Sequence, residues 1–341
     1  MNDGKEERRT LLLVDDEPVN LQVLRHGLQA QYRLLFAKDG PTALAVAQRE
    51  RPDLILLDVM LPGMSGHEVC ETLKRGSDTH AIPVIYVTAL GQAEDELRGL
   101  ELGAVDYIAK PFDLSVVRAR IRTHLSLVRA EELLETSLRL VRALGAAAEY
   151  RDNGTGRHVV RMSHYSWRLA CEAGYSEDAA RELQNAAVMH DVGKIGIPDA
   201  VLLKPGRLDA MEQTIMRRHA EIGARIIGEH SSSLLSLAAE IALRHHEKWD
   251  GSGYPDGLAG EAIPRAARVI AVVDVFDALT SSRPYKPAWS VEEAVAHIRQ
   301  ESGRHFDPAL VDAFLRCLPD ILEFRARWSD EPEASASDAM P

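Results

Sequence analysis

TLLLVDDEP, residues 10–18, sets five apolar or β-branched side chains in a row and ends on three adjacent carboxylates and a proline. A run this short, closed by polar residues, is predicted as a buried strand. Four more runs follow within the next hundred residues: YRLLFA (32–37), PDLILLD (52–58), IPVIYVT (82–88) and VDYIAK (105–110). Stretches of 3.6-residue apolar periodicity separate them, so the fold class expected here is α/β, a doubly wound five-stranded parallel sheet. The near-continuous hydrophobicity of LILL and IPVIYV fits strands covered on both faces. Asp15, Asp16 and Asp58 then stand at strand ends on the carboxyl edge of the sheet, where doubly wound folds place their ligands.

Three carboxylates at such an edge suit a hard, oxygen-seeking cation such as Mg2+. With that ion screening an incoming phosphoryl group, Asp58 can act as nucleophile while Asp15 and Asp16 hold the metal. The Thr88 hydroxyl and the Lys110 ammonium can then bond the acyl phosphate, turning a charge change into a loop shift. LLLVDDEP, LILLDVMLPGMSG, VTAL and DYIAKPF together resemble the receiver domain of bacterial response regulators, over residues 10–125. That resemblance implies phosphorylation of Asp58 by a sensor histidine kinase, a switch through Thr88, Tyr107 and Lys110, and a cis peptide at Lys110-Pro111.

From about Asp113 to Glu149 there is no proline, and Val117, Ile121, Leu125, Val128, Leu134, Leu138 and Val141 recur mostly at threes and fours. This predicts a long helix, or two in register, with a linker at 126–148; its apolar stripe fits either packing on its own domain or a coiled coil in a homodimer. Beyond residue 150 the strand signal fades, and an all-α domain is expected over 149–327. Residues 1–9 and 328–341, polar and rich in small or acidic side chains, are expected to be disordered.

HDVGKIGIPD (190–199) and HHEKWDGSGYPDG (245–257) interleave imidazoles and carboxylates. Phosphodiester hydrolysis at neutral pH needs a nucleophile made from water and positive charge on the non-bridging oxygens, and two metals about 3.5–4 Å apart provide both. Asp191 suits the bridging position, with His190, His219, His245, His246 and Asp274 as further ligands and His158 at the edge. Imidazole and carboxylate without thiolate favour iron or manganese, with zinc or nickel as alternatives. EYRDNGTGRH (149–158), AAVMHDVGKIGIPDAVLLKPGRL (186–208), RRHAEIGARII (217–227), RHHEKWDGSGYPDGLAGEAIP (244–264) and RVIAVVDVFDALTSSRPYKPAWS (268–290) together resemble the HD-GYP branch of the HD hydrolases. The resemblance implies an all-α HD fold and hydrolysis of cyclic di-GMP to pGpG, and onward to GMP in some members. It makes the seven His and Asp residues metal ligands and gives Lys194 a part in charge stabilisation or leaving-group protonation. It also makes Gly253, Tyr254 and Pro255 the named loop, and Asp277, Arg283 and Lys286 ligand contacts. Family members with three metals carry a Glu four residues before the first ligand histidine; Gly154 stands there in this chain, so two metals are expected and a third is doubtful. Glu149 lies too far along the motif to replace that acid. His164, His230, His297 and His305 read as surface or capping residues, and Trp167, Trp249 and Trp289 as core or loop anchors.

Composition narrows the remaining functions. A net charge of -12 disfavours broad nucleic-acid binding, and no basic recognition helix follows the sheet, so DNA is not an expected partner. No apolar run reaches the roughly 20 residues of a membrane helix, and the polar N-terminus lacks a secretory signal, which points to the cytoplasm. Cys70, Cys171 and Cys317 form no CxxC pair and read as small buried hydrophobes. A mononucleotide-cleaving HD hydrolase is disfavoured by the GYP loop. A non-catalytic module binding cyclic di-GMP or diguanylate cyclases is the other rival, with Gly154 as its support.

Overall fold

The computed structural model describes residues 8–89, 101–151, 157–281 and 288–328. It divides into two compact units, residues 1–134 and 135–341. In the first unit, strands β1 (Thr10–Val14), β2 (Arg33–Ala37), β3 (Leu54–Asp58), β4 (Val84–Ala89) and β5 (Asp106–Lys110) form one sheet in the order β2-β1-β3-β4-β5, and every pairing is parallel. The period-two geometry of a strand sends alternate residues to opposite faces. Leu12, Val14, Ile55 and Leu57 therefore pack with Ala43 and Ala47 of α2 (Gly40–Glu50) and Val69 and Leu73 of α3 (Gly66–Arg75). Leu11, Leu13, Leu54 and Leu56 meet Leu21 and Leu24 of α1 (Pro18–Leu28) and Val117 and Ile121 of α4 (Leu114–Tyr150) on the other face. Both faces are covered, as the unbroken apolar runs require. Local chemistry sets the boundaries: Asp39 caps α2 through the Thr42 amide, and Ser65 and Glu68 close a capping box on α3.

α4 is a single helix of 37 residues. Its later residues Val141 and Ala148 belong to the core of the second unit. That unit continues with α5 (Arg157–Glu172), α6 (Glu177–Ala187), a 3-10 turn (Val192–Gly196), α7 (Asp199–Leu202), α8 (Ala210–Arg217), α9 (His219–Ile227), α10 (Ser233–Arg244), α11 (Arg265–Thr280), α12 (Val291–Gln300) and α13 (Pro308–Arg327). α11 carries buried side chains all round, from Ala266 through Phe276 to Thr280, and is the central helix of the unit. Tyr165, Leu169, Leu183, Ile241, Phe314 and Ile321 complete the core around it. Cys70 and Cys317 are buried and Cys171 is half-buried, all three as free thiols. Among the described residues no helix is long and apolar enough to cross a membrane. The termini expected to be disordered, apart from residues 8, 9 and 328, lie outside the described residues, as does Gly154.

Candidate metal centre and phosphoacceptor site

Five elements of the second unit deliver ligand atoms to one place. His158 is the second residue of α5, His190 and Asp191 lead into the 3-10 turn, His219 opens α9, His245 and His246 follow α10, and Asp274 lies on α11. The donor atoms form two groups, Asp191 with His219, His245 and His246, and His158 with His190 and Asp274; within each, all lie within 4.8 Å of one another. Asp191 faces both. Its Oδ1 is 3.3 Å from His219 Nε2 and 3.6 Å from His245 Nε2, and its Oδ2 is 3.3 Å from His190 Nε2. Asp274 Oδ1 lies 3.7 Å from His158 Nε2 and 3.9 Å from His190 Nε2.

The other ring nitrogens show why these imidazoles suit a cation. His190 Nδ1 lies 2.9 Å from the Ala187 carbonyl, His219 Nδ1 2.7 Å from that of Met216, and His245 Nδ1 3.0 Å from that of Ile241. A carbonyl oxygen can only accept, so each Nδ1 carries a proton and each Nε2 is the atom left to meet a cation at the centre. His190 Nε2 and Asp191 Oδ1 are sealed from solvent and make no hydrogen bond. Leaving such atoms unmatched costs about 1–3 kcal/mol each, an expense that ligation by a metal removes. Burial would lower the His190 pKa, but the charges of Asp191 and Asp274 overcome it and hold it up at about 9. Burial likewise opposes ionisation of Asp191, yet Lys194 and His190 keep its carboxyl well below the ordinary range. Burial holds His246 and His219 below the usual imidazole value, neutral and able to ligate. The residues present thus fit two divalent ions.

The turn that carries Lys194 is held by a close approach. A Cβ on Gly193 would stand 1.9 Å from the His219 carbonyl oxygen, so only glycine lets the turn pack against the start of α9. Lys194 Nζ is 2.7 Å from Asp191 Oδ2. A Cβ on Gly253 would meet the Lys248 nitrogen at 2.3 Å and the His246 carbonyl oxygen at 2.6 Å, which explains the first residue of the GYP loop. Tyr254 stacks on His246 with ring centroids 4.8 Å apart, the Arg217 guanidinium covers the Tyr254 ring at 5.1 Å, and the Tyr254-Pro255 peptide is cis. Glu149 is buried, and its charge helps raise His158 and His190, but it stands outside both ligand groups.

Two readings are corrected. Asp277, expected at the ligand, has a side chain only 1% exposed, and its oxygens bond His158 Nδ1 at 2.7 Å and Arg161 Nε at 2.6 Å. It lies one turn beyond Asp274 on a buried helix and faces α5. His305, expected on the surface, is half-buried and stacks on Phe306 at 4.3 Å. Arg283 and Lys286 lie outside the described residues.

In the first unit, Asp15, Asp16 and Asp58 offer oxygens within 4.8 Å of one another. Lys110 Nζ lies 2.8 Å from Asp15 Oδ2 and 2.6 Å from Asp58 Oδ2. Burial raises the Asp58 pKa, against the lowering effect of the Lys110 and Met60 hydrogen bonds. A cleft of about 690 Å3 opens over Asp58, lined also by Asp16, Asn20, Met60 and Lys110. Thr88 pairs with Ala109 one step beyond the Asp58–Val87 pair, Tyr107 is 37% exposed on β5, and Lys110-Pro111 is cis.

Family models match both units. The response regulator receiver domain matches residues 11–122, and the HD domain matches residues 140–310. The cyclic di-GMP phosphodiesterase response regulator RpfG of Xanthomonas campestris pv. campestris is 40% identical over 345 residues, 94% of this chain and 90% of that protein. The chain belongs to the HD-GYP response regulators. A cyclic di-GMP phosphodiesterase of Thermotoga maritima is 39% identical, with 94% of each chain covered. A 3'3'-cGAMP-specific phosphodiesterase 2 of Vibrio cholerae serotype O1 is 45% identical over 199 residues, 58% of this chain and 38% of that one. In this HD-GYP response regulator, sequence reasoning passed over Arg161, Glu247 and Asn20. Asn20 Nδ2 bonds both Asp15 oxygens at 3.1 Å, and buried Glu247 accepts the Asp256 and Leu258 amides at 2.9 and 3.0 Å, fastening the GYP loop. A signal existed for Glu247, which sits directly between the ligand pair and the loop.

Proposed function

We propose that the second unit hydrolyses cyclic di-GMP to pGpG under the control of phosphorylation at Asp58. The observation that carries the reading is Asp191, whose two oxygens face two groups of metal-suited side chains in a buried site. Asp191, His219, His245 and His246 would hold one divalent ion and His158, His190 and Asp274 a second, with Asp191 shared. Iron or manganese suits this donor set, with zinc or nickel as alternatives. Two such ions supply an ionised water and positive charge against the phosphate. Lys194 sits with its ammonium beside the shared carboxylate, where it can meet a non-bridging oxygen or give a proton to the leaving alkoxide. Gly253, Tyr254 and Pro255 wall the ligand side of His246, and Arg283 and Lys286 supply cations for the second phosphate.

In the receiver, Asp15 and Asp16 would hold Mg2+ beside Asp58, with Thr88, Tyr107 and Lys110 reading the phosphorylated state. A sensor histidine kinase is the donor, and the cytoplasm is where kinase and cyclic dinucleotide meet. Leu127, Leu133, Leu134 and Leu140 on α4 are each more than half exposed, and a second copy of the chain would cover them. Sevenfold spacing of Leu127 with Leu134 and of Leu133 with Leu140 supports a paired helix; a monomeric mass in solution would remove this reading. The identity to a 3'3'-cGAMP-specific relative favours that dinucleotide as a second substrate.

Protein purified anaerobically with iron or manganese tests the main reading. Two metals per chain with pGpG appearing from cyclic di-GMP is the expected result, and comparison of kcat/KM for the two dinucleotides ranks them. Full metal occupancy with ligand bound and uncleaved would instead make the chain a receptor or a partner for cyclases.

A further inference from the structure

We infer that Arg161 and Asp277 are a buried positioning pair that holds His158 with its Nε2 towards the metal centre and ties that orientation to the end of α13. The inference rests on the binuclear reading above. His190, His219 and His245 bond through Nδ1 to backbone carbonyls, whose positions the helices fix. His158 is held differently, by the Asp277 carboxylate at 2.7 Å. A carboxylate only accepts, so it draws the proton to Nδ1 and leaves the lone pair on Nε2, 3.7 Å from Asp274 Oδ1. A free carboxylate could rotate, and Arg161 prevents that by a two-point grip, Nε on Oδ1 at 2.6 Å and Nη2 on Oδ2 at 2.9 Å. Arg161 is 2% exposed and Asp277 is fully buried.

The same guanidinium reaches further. Nη1 bonds the Trp328 carbonyl at 3.1 Å and Nη2 the Ser281 hydroxyl at 2.8 Å. One arginine therefore joins a ligand histidine on α5, a carboxylate on α11 and the close of α13. Arg325, a turn before Trp328, bonds the Thr280 carbonyl and reinforces the same corner. Mutation of a group that orients a ligand histidine typically weakens metal binding about 10–100-fold.

Chelator competition with Zn2+ tests the pair. Two ions are expected in the unaltered chain, with one of them bound about 10–100-fold more weakly in Asp277→Asn. Arg161→Lys should show a smaller loss. Asp307→Asn is the control, since Asp307 makes a partly buried 2.6 Å pair with Arg268 that touches no ligand. It should lower thermal stability and leave both zinc affinities unchanged. Equal weakening in Asp277→Asn and Asp307→Asn, or none in Asp277→Asn, would overturn the inference alone. An unaltered chain that loads fewer than two ions would overturn the binuclear reading and take the inference with it. Should Asp277→Asn fail to fold, 15N-histidine NMR of the zinc-loaded unaltered chain, assigned with His158→Gln, decides. A proton on His158 Nδ1 is expected, and zinc bound through Nδ1 would overturn the pair's role.

Discussion

Lys194 has an ammonium 2.7 Å from Asp191, whose oxygens face both candidate ligand groups, and as an ammonium it can bind no metal. Its contribution should therefore appear in the chemical step. Lys194→Met is expected to lower kcat by about 10^2–10^3, the usual effect of removing one donor to a developing charge. Metal content, measured per chain, should stay at two; loss of metal would make Lys194 a brace for Asp191 instead. His305 gives a residue-scale prediction of a different kind. Burial, aided by Lys248, lowers its pKa to about 4, so the folded chain excludes a proton that the unfolded chain accepts below about 6.5. Between those values the unfolded state binds more protons, and stability falls as pH is lowered. His305→Gln should flatten that part of the unfolding profile by up to about 3 kcal/mol, as read by denaturant titration at pH 7 and pH 4.5. At this scale the side chains that the structure gathers as candidate ligands were legible in sequence, because metal chemistry demands particular residue types at particular spacings. Arg161 and Asp277 were not correctly legible, because their roles come from a contact across 116 residues between two buried helices.

Elements position these residues, and the GYP loop shows how a single buried group can hold one. Glu247 accepts the Asp256 and Leu258 amides and pairs with Arg244 at 3.2 Å, so the loop closes back on the end of α10. Glu247→Gln keeps the shape but offers one acceptor oxygen where two are used. The cost expected is about 1–3 kcal/mol of local stability. KM for cyclic di-GMP should rise several-fold with kcat nearly unchanged, because Tyr254 loses its fixed seat while the ligand histidines keep theirs. A fall in kcat alone would contradict this. The strands were readable at this scale, since burial on both faces leaves an unbroken apolar run in LILL and IPVIYV. The central helix α11 was readable as helix, but the inward direction of Asp277 was hidden by apolar neighbours on every side.

For the whole molecule the question is how a charge placed on Asp58 alters hydrolysis in the other unit. Phosphorylation replaces the Asp58 carboxylate with an acyl phosphate, a net gain of about one negative charge where Asp15 and Asp16 already converge, and Lys110, bonded to both Asp15 and Asp58, must redistribute its contacts. β5, which ends at Lys110, is followed within four residues by α4, a helix whose residues enter the core of each unit. A chain of covalent and packed elements therefore leads from the phosphoacceptor to the hydrolase core, but coupling requires that phosphorylation favour one of two states of that chain. Acetyl phosphate with Mg2+ should change kcat/KM of the unaltered chain, and Asp58→Asn should show the same value with and without it. A response that persists in Asp58→Asn would move the phosphorylated position elsewhere. Equal rates in the unaltered chain, with phosphorylation verified by mass, would show that the receiver governs association or partner choice and leaves turnover untouched.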